Sequence, residues 1–175
     1  KAGFKIMIFS GGEPMTRPDI FELIAHAKSK GLRPVLGSNG SLITVDAAMK
    51  LKEAGLMGAG ISLDSLDAGK HDALRKLDGA WEMAVQGMKN CLDAGLRVQI
   101  HTTVMDWNQQ EVEAITDFAV ELGASAHHIF FLVPTGRGEK IVDQALKRDD
   151  YEKLLVRIMK KAQTGDMTVR FENHY

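Results

Sequence analysis

Apolar residues along this chain gather in short runs separated by longer amphipathic stretches. The runs fall at Ile6–Phe9, Pro34–Leu36, Gly60–Leu63, Val98–Thr103 and Ile129–Val133. Each is short and apolar, the pattern of a strand buried on both faces. Between them the apolar period lengthens. Ile20, Leu23, Ile24 and Ala27 form one stripe, and Trp81, Ala84, Val85, Met88 and Leu92 another. Val112, Ile115, Ala119 and Leu122 form a third, and Leu154, Leu155, Ile158 and Ala162 a fourth. This i, i+3, i+4, i+7 spacing puts apolar side chains on one helix face. A weaker helical segment, 45–54, fills the remaining interval.

The predicted helices end alike. Gly31, Gly55, Gly95 and Gly123 each follow a stripe and precede the next strand, where glycine accepts the left-handed turn that closes a helix. Strand to strand takes about 30 residues, one βαβ unit. Buried strands joined by helical crossovers make a parallel sheet covered by helices. An open doubly wound sheet and a (β/α) barrel both satisfy the pattern, and both place ligands at the carboxyl ends of the strands.

Composition narrows the function classes. Length and the 45% apolar content suit one domain over residues 1–175. A net charge of −1 offers no basic surface for nucleic acid. No apolar run reaches the roughly 20 residues of a membrane span, and the N-terminal residues lack a signal-peptide pattern. The single cysteine, Cys91, lies near the apolar face of a predicted helix and reads as a core thiol. A cytoplasmic location follows as the expectation. Because the chain opens directly on a strand, we expect that an upstream segment precedes it. The strand at 6–9 would then have an unpaired side, available for an edge-strand dimer.

Small polar groups concentrate at the strand ends: Ser10-Gly11-Gly12-Glu13-Pro14, Ser38-Asn39-Gly40, Ser62-Leu63-Asp64-Ser65, Thr102-Thr103 and Pro134-Thr135-Gly136-Arg137-Gly138. Such a rim suits a polar small molecule. Nucleotide-triphosphate and dinucleotide signatures are absent, and the histidines form no recognisable metal spacing. His127 and His128 read as structural residues at a strand start, on the rim away from the chemistry. His101, inside a strand, is a candidate for the lumen.

Gly11-Gly12-Glu13-Pro14, Ser38-Asn39-Gly40 and Ile61-Ser62-Leu63-Asp64-Ser65, in this order and each closing a strand, resemble the radical S-adenosylmethionine superfamily. The run His71-Asp72-Ala73-Leu74-Arg75 resembles members carrying the cysteine-rich SPASM extension. The resemblance implies an incomplete parallel (β/α)6 TIM-like barrel, with the first strand and cluster loop missing. It implies an oxidoreductase-type enzyme that makes a 5′-deoxyadenosyl radical. Gly11, Gly12, Glu13 and Pro14 would meet the methionine amino group. Ser62 and Asp64, on one strand face, would hold the ribose. Ser38 and Asn39 match the family's third strand-end motif, and Val133 and Pro134 fall where adenine lies. Arg75 would pair with the methionine carboxylate. The plainer alternatives are a helix N-cap at Asp64 or Ser65, a turn at Ser38-Asn39, and a solvated helix charge at Arg75.

The family also implies a [4Fe–4S] cluster held by C-x-x-x-C-x-x-C. Cys91 alone cannot replace three thiolates, so those ligands are expected upstream and the chain by itself is expected to be inactive. The stretches Thr102–Met105 and His127–Gly138 look most like enzymes of siroheme-dependent haem biosynthesis. These modify tetrapyrrole side chains by decarboxylation or acetate removal. A peptide-modifying SPASM maturase, a molybdenum-cofactor cyclase and a non-catalytic barrel binding a nucleotide-like ligand are the alternatives. The substrate expected is thus a tetrapyrrole or a peptide.

Overall fold

The computed structural model of the chain describes residues 3–132, 143–164 and 168–172. Six parallel strands form one sheet in sequential order: β1 (Ile6–Phe9), β2 (Arg33–Ser38), β3 (Gly58–Ser62), β4 (Arg97–Val104), β5 (Ala126–Phe131) and β6 (Thr168–Glu172). Helices α1 (Ile20–Ser29), α2 (Val45–Glu53), α3 (Ala68–Arg75), α4 (Ala80–Asp93), α5 (Val112–Leu122) and α6 (Arg148–Thr164) make the crossovers. A 3₁₀ turn, Pro14–Thr16, precedes α1. Among the described residues β1 and β6 have one neighbour each, so the sheet stays open between them.

The expected repeat is present, with three differences. Strand β5 starts three residues earlier than the apolar run suggests, because His127 belongs in the sheet rather than at its edge. Strand β6 and helix α3 add two elements that the apolar pattern does not mark. Val133 and Pro134 lie outside the described residues.

Helix closure repeats from unit to unit. Gly31, Gly55, Gly95 and Gly123 all take positive φ, between 73° and 89°. The next residue then donates its backbone N–H five residues back: Leu32 to Ala27, Leu56 to Leu51, Leu96 to Cys91 and Ala124 to Ala119, at 2.9–3.1 Å. Each closure satisfies an orphan carbonyl and turns an apolar residue inward. Leu56, Leu96 and Ala124 are buried there. The main core lies between the helices and the outer sheet face, with Leu36, Ala59, Ile61, Val98 and Ile100 against Ile24, Leu51, Met88 and Cys91.

A buried polar chain joins this layer. The Thr102 hydroxyl donates to the Leu63 carbonyl at 2.6 Å, so the His127 Nε2–H donates to Thr102 Oγ1 at 2.8 Å. His127 Nδ1 then meets Thr116 Oγ1 of α5, also at 2.8 Å. Burial, with smaller contributions from His128 and His101, pushes the His127 pKa down to about 3. The imidazole is therefore neutral.

Helix α4 approaches the loop after β2 closely, at glycines. A Cβ on Gly87 would lie 2.5 Å from the Gly40 carbonyl oxygen, and one on Gly40 would lie 3.0 Å from the Ala84 Cα. Gly87→Ala should therefore lose about 1–3 kcal/mol to overpacking. That outweighs or cancels the roughly 1 kcal/mol of helix propensity that alanine brings. Gly69→Ala in α3 meets one atom, the Asp67 Oδ1 that caps this helix, at 3.3 Å, and should cost less than Gly87→Ala. Thermal melts should give a lower midpoint for Gly87→Ala than for Gly69→Ala.

His127 also predicts an acid limit. Its folded pKa lies below the ordinary 6.5, so the unfolded state binds more protons in the window between. Its contribution is intact above about pH 6.5 and is lost as pH falls toward 3, at up to about 1.4 kcal/mol per pH unit. Denaturant midpoints measured from pH 7 to 5 should fall, and His127→Gln should flatten that slope while lowering stability at pH 7.

Candidate functional site

Parallel pairing brings the polar strand ends to one rim. Phe9 pairs with Leu36, and Ser38 with Ile61, so the chain segments leaving β1, β2 and β3 stand side by side. Ser62 pairs with His101 on the next strand, β4. Ser10, Gly11 and Gly12 are exposed, whereas Pro14 and Ser38 are buried.

Glu13 ties the first two strand ends together. Its Oε1 accepts from the Met15 amide at 3.0 Å and the Ser38 hydroxyl at 2.8 Å, and its Oε2 from the Asn39 amide at 2.8 Å. The first of these bonds is an N-cap on the 3₁₀ turn, which Pro14 opens with a pre-set φ. Ser38 Oγ in turn accepts the Gly40 amide at 2.9 Å, and Asn39 Oδ1 accepts from the Ser41 amide and hydroxyl. Most of the acceptor capacity of the Glu13 carboxylate is thus spent inside the protein. The Gly11 and Gly12 carbonyls, by contrast, receive no donor among the described residues.

The β3 end is built differently. Ser62 lies on the inner face of the sheet and is half-buried, but Asp64, two residues on, has 0% exposure. Asp64 Oδ2 accepts from Arg75 Nε at 2.8 Å and lies 2.6 Å from Nη2, and Oδ1 accepts the Thr103 amide at 3.0 Å. Arg75 thus serves Asp64 here, rather than standing as a solvated charge. The N-cap of α3 is Asp67, accepting from the Lys70 amide, and not Asp64 or Ser65.

Residues that the strand-end motifs do not reveal complete this corner. His71 Nδ1 accepts the Asp64 amide at 3.2 Å. Burial lowers the His71 pKa despite the opposing effect of the Asp64 charge, so its 3.6 Å approach to Asp64 Oδ2 is not an ion pair. Asn108 Nδ2 donates to the carbonyls of Asp64 and Thr103, and its Oδ1 accepts the Met105 amide. Glu111 accepts from the Ser65 hydroxyl at 2.6 Å, the Leu66 amide and Lys70. Burial works to raise the Glu111 pKa, but these bonds outweigh it and hold the value below the ordinary carboxylate range. Among these, only the i, i+4 pair His71 and Arg75 leaves a trace in the sequence.

The histidines divide. His127 faces the helices, as a structural residue should. His128 differs from the expectation of a residue remote from the chemistry, because β5 begins earlier and alternation turns it inward. Its ring stacks on His101, with centroids 5.1 Å apart, and both line a cavity of about 400 Å³ inside the sheet. Glu13, Ser38, Asn39, Ser62 and Asp64 do not line that cavity. The rim carries the polar chemistry, and the cavity lies on the inner face of the strands.

The sequence signature of the Radical SAM superfamily matches residues 1–119. The AdoMet-dependent heme synthase of Nitratidesulfovibrio vulgaris is 44% identical over 153 residues, 87% of this chain and 42% of that protein. The Fe-coproporphyrin III synthase of Methanosarcina barkeri is 35% identical over 161 residues, 92% of this chain and 40% of that protein. The chain thus spans about two-fifths of these relatives' length. Streptococcus suis SuiB, solved with its precursor peptide SuiA, shares the fold with a TM-score of 0.78 at 16% identity, over 97% of this chain and 38% of that one. The shared fold, a partial parallel (β/α) barrel, and the extent of these matches place the chain in the radical SAM superfamily.

Proposed function

We propose that this chain forms the S-adenosylmethionine-binding part of a radical enzyme acting on tetrapyrrole side chains, by decarboxylation or acetate removal. The observation that carries the reading is the clamped rim, on a chain 44% identical to a heme synthase. An ammonium group has donors only and needs acceptors. The exposed, unengaged Gly11 and Gly12 carbonyls supply them, and glycine lets the ligand approach closely. Glu13 adds negative charge nearby and fixes the loop through Ser38 and Asn39, while Pro14 stiffens it. Ser62 offers a hydroxyl to the ribose. Asp64 acts from behind it, holding the β4 strand end and Arg75 in place. Held at this rim by the Gly11 and Gly12 carbonyls and Ser62, S-adenosylmethionine would supply hydrogen-atom abstraction, on one-electron reduction that breaks its C5′–S bond and releases methionine.

A [4Fe–4S] cluster needs thiolates that this chain does not provide. Cys91, its one cysteine, is fully buried and its thiol is pushed up to about 11 by burial. No group of three potential ligands converges among the described residues. Cluster ligation is therefore not assigned to these residues, and the chain alone should be inactive.

Partner and location belong to the same proposal. A small-molecule substrate, with no nucleic-acid partner, fits the net charge of −1. No helix among the described residues is long and apolar enough to cross a membrane, and a cytoplasmic location agrees with one buried, unpaired cysteine. Pairing of two copies of this chain along β1 is supported by that strand having one neighbour among the described residues.

The test uses the complete gene product, reconstituted anaerobically with iron and sulfide. With a reductant it should release 5′-deoxyadenosine, and an iron porphyrin carrying acetate or propionate groups should raise that yield. Glu13→Gln replaces one acceptor oxygen by a donor facing amide or hydroxyl donors, and should weaken S-adenosylmethionine binding about tenfold. Stimulation by a precursor peptide and not by the porphyrin would transfer the activity to the maturase class. An unaffected Glu13→Gln variant would remove the role given to Glu13.

A further inference from the structure

The inner face of the sheet is unusually bare. In a closed parallel barrel, layers of large side chains fill the interior. Here three inward positions on the adjacent strands β2 and β3 are Gly37, Gly58 and Gly60, all lining the cavity. The His101 ring occupies the space over Gly60, where a Cβ would come within 2.1 Å of it. The remaining volume of about 400 Å³ is that of a small-molecule site.

Two exposed arginines, each the first residue of its strand, line this cavity. Among the arginines whose side chains are described, Arg17, Arg75, Arg148 and Arg157 each pair with a carboxylate. Arg33 and Arg97 are the described arginines without such a pair, and both line the cavity. Arg33 Nε donates to Met57 Sδ at 3.3 Å, which draws its head group toward β3, the strand lying between it and Arg97. Arg97 pairs in register with Gly58, which carries no side chain of its own. Apolar walls come from Ile8 and Val35, paired on neighbouring strands, and from Phe130. The His101 Nε2 is buried without a hydrogen-bond partner, although an imidazole nitrogen out of water ordinarily has one.

We infer that this cavity binds a small organic anion, its carboxylate or phosphate held between Arg33 and Arg97 and its apolar body directed along Ile8 and Val35 toward His101. Guanidinium forks match both anions, and two of them at one mouth give charge-assisted bonds that a neutral ligand cannot make. An apolar body replaces water against the aliphatic and aromatic walls. The His101 ring, set over Gly60, closes the far end of the cavity. Burial, with a smaller effect of His128, holds His101 neutral with its pKa lowered to about 4, so it adds no charge of its own. The site adjoins the rim at Ser10 but is lined by none of Glu13, Ser38, Asn39, Ser62 or Asp64, and it does not depend on the function proposed for them.

Calorimetry on the complete gene product, with 3-phenylpropionate, 2-phenylethyl phosphate and the neutral 3-phenylpropanamide, tests the inference. At least one anion should bind at least tenfold more tightly than the amide, and the tighter of the two identifies the charged group. The double variant Arg33→Gln, Arg97→Gln should weaken that anion about tenfold or more while leaving S-adenosylmethionine binding unchanged. Circular dichroism checks that it folds, and each single variant should give an intermediate loss. His101 ring resonances should move on anion binding. Equal affinity for anion and amide, an unchanged affinity in the folded double variant, or no saturable binding of either anion up to about 10 mM would overturn the site. Loss of S-adenosylmethionine binding in wild type would bear on the rim alone.

Discussion

The corner of the molecule around β3 is organised by the burial of one carboxylate. Asp64 has no exposed surface, and a carboxylate taken out of water must be paired and hydrogen-bonded or it costs several kcal/mol. Arg75 supplies the charge, the Thr103 amide a second donor, and the His71 ring fixes the Asp64 backbone. Those partners come from α3, from β4 and from α3 again. Helix α3 carries no broad apolar stripe, and His71 is its one buried residue. Its position is therefore set by the polar partners that Asp64 requires more than by the hydrophobic effect. The next helix inherits that placement, since Asp72 of α3 accepts the amides of Gly79 and Trp81 where α4 begins.

A parallel logic holds at the other end of the rim. Glu13 satisfies amide and hydroxyl donors from the 3₁₀ turn and from the loop after β2. Strand ends that neighbour one another in the sheet are thus tied sideways by side chains, beyond the last ladder hydrogen bond. Loops held in this way need less reordering when a ligand arrives, and preorganised groups contribute more to binding than mobile ones. The roles of Asp64 and Glu13 in this structure are to position neighbours, with carbonyl and hydroxyl groups left facing outward.

Much of this was legible in the sequence, and the rest was hidden for identifiable reasons. Apolar runs marked β1 to β5 because buried parallel strands must be apolar on both faces. The helix-closing glycines were legible because each needs a positive φ that other residues resist. Strand β6 was not, since Thr168–Glu172 holds two apolar residues in five and alternates like a surface segment. Helix α3 escaped the same reading because polar contacts place it. The start of β5 was misjudged through His127 and His128. A histidine inside a strand looks like an edge until the threonines that satisfy it, Thr102 and Thr116, are seen around it. The strand-end motifs placed Glu13, Ser38, Asn39 and Ser62 together, since period and parallel pairing alone bring them to one rim. The occupancy of Asp64 by Arg75 was beyond reach, because it depends on how α3 folds back over β3.

The two faces of the sheet are held by different forces, and this explains why the inner one tolerates a cavity. On the outer face Leu36, Ile61 and Ile100 pack against four helices, and burial of that kind contributes roughly 25 cal/mol for each Å² removed from water. On the inner face, Gly37, Gly58 and Gly60 contribute almost nothing to packing, and glycine within a strand carries an entropic cost. A sheet stabilised on its outer face can carry such positions. What they supply in return is space, floored by glycine backbone and flanked by His101 and two unpaired guanidiniums. A Cβ at Gly60 would meet the His101 ring and one at Gly58 the Arg97 carbonyl, so the neighbours of both positions are built around glycine. Gly37 and Gly60 stand side by side in the register with Gly58 one inward position earlier, and the volume that the His101 ring leaves beside them is the cavity.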